Sequence, residues 1–278
     1  MVESNTHKFN SENYVYTIAE IGINHGGDED LALELIDSAW RAGADAVKFQ
    51  TYITEKRVKR ESPLFAILKK CELPFGSFHR LKLRADELGI DFFSTPFDDE
   101  SLNTLESLNV KIHKIASFDV TNMKLLDRVS QTGKAIVIST GMASLDEIKV
   151  AYDIIRAKTN EIAILHCVSA YPLAESNANL AVIESLRDEF DCIIGYSDHT
   201  NGIVVPLYAV SAGAQIIEKH YRIDDEMDCV DAPVSITEIQ MKKFIQEANR
   251  IGKIFGSNVI GSCSAENETK LYRRYDSF

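Results

Sequence analysis

Cationic charge is the scarcer kind in this sequence: 30 Lys and Arg stand against 42 Asp and Glu, a formal net charge of −12. So acidic a chain is poorly suited to non-specific binding of nucleic acid or anionic membranes. A local basic pocket for a small anion stays open, because net charge does not describe one cleft. Cysteine is sparse as well. Cys71, Cys167, Cys192, Cys229 and Cys263 are odd in number and form no C-x-x-C pair, which excludes a zinc ribbon, argues against a disulfide framework and reads as reduced cytoplasmic thiols. The opening MVESNTHKFNSENYVYT has no basic start and no apolar run, so a signal peptide is not expected. No apolar stretch of about 18 residues is present to span a membrane. No G-x-G-x-x-G follows the first apolar run, which counts against a doubly wound dinucleotide fold.

What is present is repetition. Hydrophobic residues make up 45% and charged residues 26% of 278 positions, ordinary for a globular domain with a large core. Short apolar runs, nearly continuous in hydrophobicity as parallel strands buried on both faces are, fall at Val15–Ile23, Ala46–Gln50, Asp91–Thr95, Lys111–Ser117, Ala135–Thr140, Ile162–Cys167, Cys192–Ser197 and Gln215–His220. An amphipathic segment follows each: Asp28–Ala42, Phe78–Leu88, Asp98–Leu108, Met123–Thr132, Ser144–Ala157, Asn179–Glu189, Gly202–Ala212 and Ile236–Phe255. Gly43, Gly89, Gly133 and Gly213 are placed to stop helices, and Ser144 with Glu147 forms a capping-box signature. Eight βα units of about 30 residues predict a single-domain (β/α)₈ barrel, a TIM barrel, over residues 15–256. Residues 1–14 are a lead and 257–278 a polar tail. The longer connection 51–74 reads either as a lid or as a rim helix.

In such a barrel chemistry gathers where the strands end. The predicted strand ends carry Glu20, Asn24 and His25; Lys48 and Gln50; Ser94 and Thr95; Lys114 and Ser117; Ser139 and Thr140; His166, Cys167 and the following Tyr171; Ser197, Asp198 and His199; and Glu218, Lys219 and His220. A single strand-end hydroxyl is usually a turn or cap. Polar groups at all eight ends of one rim are costly unless ligands or pairs satisfy them. Lys48, Lys114 and Lys219 with the hydroxyls of Thr95, Ser117, Ser139 and Ser197 suit a phosphate plus a carboxylate. Alternatively, the lysines pair with Glu20, Asp198 and Glu218 as a structural network. His199 and His220 end adjacent strands about 4.8 Å apart, so they could share one metal ion. The spacing equally allows two hydrogen-bonded rim histidines.

These segments together resemble a known family. IAEIGINH (Ile18–His25), AGADAVKFQ (Ala42–Gln50), FSTPF (Phe93–Phe97), HKIAS (His113–Ser117), ISTGM (Ile138–Met142), Leu165–Cys167 with Tyr171-Pro172, GYSDHT (Gly195–Thr200) and IEKH (Ile217–His220) closely resemble the sialic acid synthases. The resemblance implies a barrel that condenses phosphoenolpyruvate with an amino-sugar such as N-acetylmannosamine to make a nine-carbon keto acid, releasing phosphate. It implies Mn²⁺ or Mg²⁺ on His199 and His220. It places phosphoenolpyruvate contacts on Lys48, Thr95, Lys114, Ser117, Ser139 and Ser197, and sugar contacts on Glu20, Gln50, Tyr171 and Asp231. It also implies a homodimer in which a C-terminal antifreeze-like domain caps the partner's site and supplies an Arg. Here AENETKLYRR (Ala265–Arg274) resembles the linker into that domain. The expectation is therefore a barrel whose cap, if it needs one, comes from a separate protein. The family's Gly-Pro-Asp loop reads Cys229-Val230-Asp231. Two other functions fit a polar barrel rim. One is a Schiff-base aldolase using Lys114 or Lys219; the other is a non-catalytic or split-enzyme subunit.

Overall fold

Strand periodicity explains how this sequence can be apolar inside and charged at one end. Successive side chains on a strand point to opposite faces. In β1 (Tyr16–Gly22) the alternate positions Tyr16, Ile18 and Glu20 share a face; in β2 (Ala46–Thr51) Ala46, Lys48 and Gln50 do. The same step repeats in β3 (Asp91–Pro96), β4 (Ile112–Ile115), β5 (Ala135–Ser139), β6 (Ile162–Cys167), β7 (Ile193–Asp198) and β8 (Ile216–His220). In most strands the first inward residues are apolar and the last are polar; β3 begins instead with Asp91 and β6 ends with Cys167. Tyr16, Ile18, Ala46, Phe93, Ile112, Val137, Ala163, Leu165 and Ile216 form one closed cluster, the barrel's interior plug. Above it lie the chargeable groups.

The computed structural model describes residues 14–256 and 259–274. All eight strands are parallel and pair in sequence order, and β1 closes on β8, as the sequence predicts. The helices are α1 (Glu29–Ala42), α2 (Thr54–Arg57), α3 (Phe65–Cys71), α4 (Phe75–Leu88), α5 (Asp99–Ser107), α6 (Met123–Ser130), α7 (Leu145–Arg156), α8 (Val182–Glu189), α9 (Val204–Ser211) and α10 (Glu238–Phe255). A second, larger cluster joins the outward strand residues, such as Val47, Phe49, Ile164 and Ile217, to helix residues such as Leu35, Phe78, Leu105, Ile155 and Phe244. Each such buried aliphatic or aromatic side chain contributes about 1.5–3 kcal/mol.

Local signals hold where they rest on caps. Asp28 caps α1 through Leu31 N, Gly43 ends it at φ 89°, and Ser144 and Glu147 form the reciprocal box on α7. Other boundaries move. α4 starts at Phe75 behind Pro74, before the expected Phe78. α10 starts at Glu238, because Thr237 and Gln240 form a second capping box, while Ile236 stays extended and bridges to Tyr221. β4 stops at Ile115, and Ser117 instead opens a one-turn 3₁₀ helix, Ser117–Asp119.

The 51–74 connection is a rim structure. Leu68 and Cys71 of α3 are buried against Ile23 and Tyr52, and the Tyr52 hydroxyl donates to Leu68 O at 2.9 Å. The β1–α1 turn fits beneath it only as glycine: Gly27 has φ 88°, and a Cβ there would lie 2.2 Å from Lys70 O. Of the predicted tail, residues 259–274 form two short exposed 3₁₀ turns, Ser264–Glu266 and Thr269–Tyr272. The lead before Tyr14, residues 257–258 and residues 275–278 lie outside the described residues. No described helix is long and apolar enough to cross a membrane.

Candidate active site

Strand register brings the polar ends together. Glu20 lies opposite Lys48 on one side and His220 on the other, and Ser197 lies opposite Glu218. All twelve residues that the family resemblance places at catalytic, substrate-binding or metal-binding positions line one cavity of about 240 Å³ at this end of the barrel: Glu20, Lys48, Gln50, Thr95, Lys114, Ser117, Ser139, Tyr171, Ser197, His199, His220 and Asp231.

Four charges are interlocked at its floor. Lys48 Nζ stands 2.9 Å from Glu20 Oε2 and 3.6 Å from Glu218 Oε2. Lys114 Nζ stands 3.9 Å from the same Glu218 oxygen and donates to Ser139 Oγ at 2.6 Å. Ser197 Oγ donates to Glu218 Oε1 at 2.9 Å. Burial pushes the Lys114 ammonium down to about 8, with Lys48 adding repulsion and Glu218 opposing both. Burial likewise raises the Glu20 carboxyl above its ordinary range, against the pull of Lys48. At Glu218 burial acts upward too, but Lys114 and Lys48 outweigh it and hold the carboxylate ionised. Two carboxyls of one kind are thus driven apart by their surroundings, a pattern that separates proton carrier from counter-ion.

The backbone supports the hydroxyls. Ser117 Oγ accepts from Gly141 N at 3.0 Å, and a Cβ on Gly141 would fall 2.3 Å from Ser169 Oγ. Gly22, at φ 56°, sits where a Cβ would meet Glu20 Oε1 at 3.1 Å and Gln50 Nε2 at 3.3 Å. Gln50 Nε2 donates to Glu20 Oε1 at 3.3 Å, so it ties the end of β2 to the charge cluster.

The two histidines face each other with ring centroids 5.5 Å apart, and the Tyr171 ring lies 3.9 Å from His199 and 5.9 Å from His220. His199 Nδ1 lies 2.8 Å from Val168 O. A carbonyl only accepts, so Nδ1 carries the proton and Nε2 keeps its lone pair. Burial lowers this imidazole to about 4, which keeps it neutral. His220 Nδ1 is 3.3 Å from Asp231 Oδ2 without hydrogen-bond alignment. Burial alone would lower His220; the Asp231 and Glu20 carboxylates reverse that. The Asp231 loop is anchored, since its N–H donates to Asn24 Oδ1 at 2.9 Å while Asn24 Nδ2 donates to Tyr221 O and Ser235 Oγ. A neutral, oriented imidazole beside a second buried ring nitrogen with no aligned partner fits a divalent ion. Among the described residues no third His, Cys, Asp or Glu completes a cage, so such an ion would keep positions for substrate or water.

Three expectations need correction. Lys219 is not part of the anion site. Its side chain leaves the opposite face of β8 from Glu218 and His220, donates to Asp198 Oδ2 at 2.6 Å and to the Thr200 carbonyl, and does not line the cavity. The Schiff-base reading that used it fails for the same reason. His25 is structural, its Nδ1 accepting from Gly27 N at 3.1 Å. Asn24 holds the Asp231 loop and does not line the cavity. The alternative reading of lysines paired with Glu20, Asp198 and Glu218 holds in part: Glu218 is the counter-ion shared by Lys48 and Lys114, and it lines the same cavity. Sequence reasoning missed Arg57, which α2 brings to the cavity wall and which no strand period could indicate.

Comparison with known proteins adds the following. A family model described as the NeuB family matches residues 35–260. The chain is 36% identical over 268 residues to N,N'-diacetyllegionaminic acid synthase of Campylobacter jejuni, covering 90% of this chain and 80% of that one. It is 32% identical over 256 residues to N-acetylneuraminate-9-phosphate synthase of Mus musculus, covering 87% and 71%. Among solved structures, the N-acetylneuraminic acid (sialic acid) synthetase from Leptospira borgpetersenii superimposes with a TM-score of 0.92 at 41% identity, covering 95% and 92% of the two chains. A 3-deoxy-D-arabino-heptulosonate 7-phosphate synthase from Thermotoga maritima shares the fold at a TM-score of 0.70 and 17% identity.

Proposed function

The chain belongs to the NeuB family of sialic acid synthase-like enzymes, and on that premise we propose that it joins phosphoenolpyruvate to an aldehyde sugar, giving a 3-deoxy-2-keto sugar acid of the nonulosonate type and inorganic phosphate. The observation that carries this reading is the convergence of Lys48, Lys114 and four hydroxyls with a facing histidine pair in one cavity.

Lys48 and Lys114 would neutralise the phosphate and carboxylate of phosphoenolpyruvate, while Thr95, Ser117, Ser139 and Ser197 direct donors to their oxygens. Glu218 keeps both lysines charged before substrate arrives. Tyr171, Gln50 and Asp231 would orient the open-chain sugar so that its aldehyde carbon faces C3 of the enol, removing much of the bimolecular entropy cost. The C3–C1 bond forms and the aldehyde oxygen takes a proton. Water adds its oxygen at C2 and returns one proton to the group that protonated the aldehyde; the C2–O bond to phosphate then breaks as C2 becomes the ketone, and the remaining hydroxyl proton leaves with the phosphate. Glu20, the carboxyl that burial favours in its protonated form, is placed to orient the sugar or supply the aldehyde's proton. A divalent ion, Mn²⁺ or Mg²⁺, held by His199 and His220, would supply Lewis-acid polarisation of the aldehyde oxygen.

The test is phosphate release from phosphoenolpyruvate with Mn²⁺ and a panel of aldoses, coupled to detection of a keto acid. Turnover should fall to background after exhaustive chelation and return with Mn²⁺ or Mg²⁺. Full activity without a divalent ion, or a borohydride-trapped adduct on Lys114, would overturn the scheme. A homodimer and a cytoplasmic location accord with this reading, and sedimentation of the purified chain would test the first.

A further inference from the structure

Several other arginines in the described residues end on carboxylates. Arg41 Nη2 lies 2.8 Å from Glu238, Arg84 Nε 2.7 Å from Asp37, and Arg80 pairs with Glu29. Arg57 does not. Its guanidinium carbon sits 3.7 Å from the Phe97 ring centroid and 4.7 Å from that of Tyr52. Its hydrogen bond goes from Nη1 to Gln50 Oε1 at 2.9 Å, and among the described residues no carboxylate forms an ion pair with it. A clamped, planar fork with unused donors on a cavity wall is a recognition group. A second space of about 410 Å³ shares Arg57, Leu64, Leu68, Phe97 and Phe118 with the cavity, with Val58 completing its apolar wall and Lys56, Asp119 and Asn122 its polar side.

We propose that Arg57 determines acceptor specificity by donating to the carbonyl oxygen of an acylamino substituent on the sugar, whose alkyl end packs on the apolar wall of that adjoining space. This rests on the reading of the main cavity as an aldehyde-sugar site. Two observations favour a neutral amide over a phosphate. Asp119 and Asp231 both lie near enough to act on the Arg57 charge, so a dianion there would face two carboxyl groups with one guanidinium. The neighbouring cation, Lys56, is already engaged by Glu100. An amide carbonyl takes the donors without adding charge. Leu64 and Phe118, 54% and 64% exposed, are the surface that an acyl methyl would cover.

The experiment separates this inference from the reaction itself by using unreactive alditols. Binding of 2-acetamido-2-deoxymannitol, mannitol and 2-acetamido-2-deoxymannitol 6-phosphate is measured calorimetrically on the native protein, Arg57→Ala and Arg57→Lys, with phosphoenolpyruvate present. Thermal unfolding confirms that the variants fold. Native protein should bind the acetamido alditol at least about 10-fold more tightly than mannitol. Arg57→Ala should lose about 10- to 100-fold for the acetamido compound, the cost of a hydrogen bond to a charged group, and change mannitol by less than about 3-fold. Arg57→Lys, which keeps charge but loses the fork, should recover only part. Equal losses on both alditols would make Arg57 a positioning residue for Gln50. A loss confined to the phosphorylated compound would make it a phosphate reader. No preference for the acetamido group in the native protein would likewise overturn the proposal. Absence of phosphate release with any aldose bears on the reaction and leaves these binding outcomes readable.

Discussion

Glu218 and Lys219 are neighbours on β8, both buried and both engaged with opposite charge, yet they belong to two different kinds of structure. Outside the barrel, Lys219 is closely engaged: Asp198 Oδ2 and the Thr200 carbonyl accept from it, and Asp198 also accepts from Thr200 N at 3.0 Å and Thr200 Oγ1 at 2.9 Å. Inside, Glu218 Oε2 is shared between Lys48 at 3.6 Å and Lys114 at 3.9 Å, and has no aligned hydrogen bond. One pair closes on itself and locks β7 to β8. The other is loose, opens onto a cavity and leaves cationic donors for an incoming anion. Burial and charge pairing are common to both, so neither marks a functional group. The distinguishing property is incomplete satisfaction, which costs stability unless a ligand completes it.

Substituting each lysine should break the comparison in opposite ways. Lys114→Met removes a donor from the cavity, and kcat/KM for phosphoenolpyruvate should fall about 10³-fold or more, ~4 kcal/mol of lost transition-state stabilisation. Its denaturation midpoint should change little, because Lys48 still faces Glu218. Lys219→Met should do the reverse. It strands a buried Asp198, so unfolding free energy should drop by about 3–5 kcal/mol while kcat/KM of the folded fraction stays within about threefold. Adding Asp198→Leu to Lys219→Met should restore most of that stability, since a closed ion pair can be exchanged for packing. A stability loss at Lys114 equal to that at Lys219 would erase the distinction.

The comparison also explains what the sequence could reveal. Eight apolar runs separated by capped helices specify the barrel, because burial on both faces and stop signals are local properties of the chain. The polar strand ends are legible for the same reason. Which of three consecutive polar residues faces the cavity is a question of parity. Glu218, Lys219 and His220 look alike in composition, and only the two-residue step assigns 218 and 220 to one side and 219 to the other. Ser117 reaches the site from a 3₁₀ turn, whereas its sequence pattern predicts the end of a strand. Arg57 stands in a connection without periodicity, stacked on Phe97 from another strand's end, a contact across the chain that no local pattern encodes.

A smaller effect sharpens the contrast through pH. Burial brings Lys114 down to about 8, Lys48 acting with it and Glu218, Cys167 and Glu20 against it. The ammonium is the form that binds an anion, so apparent KM for phosphoenolpyruvate should rise above pH 8, by about tenfold for each further unit if one proton is involved. Stability should respond with the opposite sign. Lys114 is lowered in the folded state, so between about 8 and its ordinary value of 10.5 the unfolded chain binds the extra proton, and this group makes the fold more stable as pH rises. Below 8 both states are protonated and it contributes no slope. Tyrosines and cysteines raised by burial act against this trend near the top of the window, so the native protein is measured against Lys114→Met at each pH. The difference in unfolding free energy should move in favour of the native chain from pH 8 to 10 while its affinity for phosphoenolpyruvate declines. A difference that stays flat, or moves with affinity, would mean that the Lys114 ammonium is as well satisfied as that of Lys219.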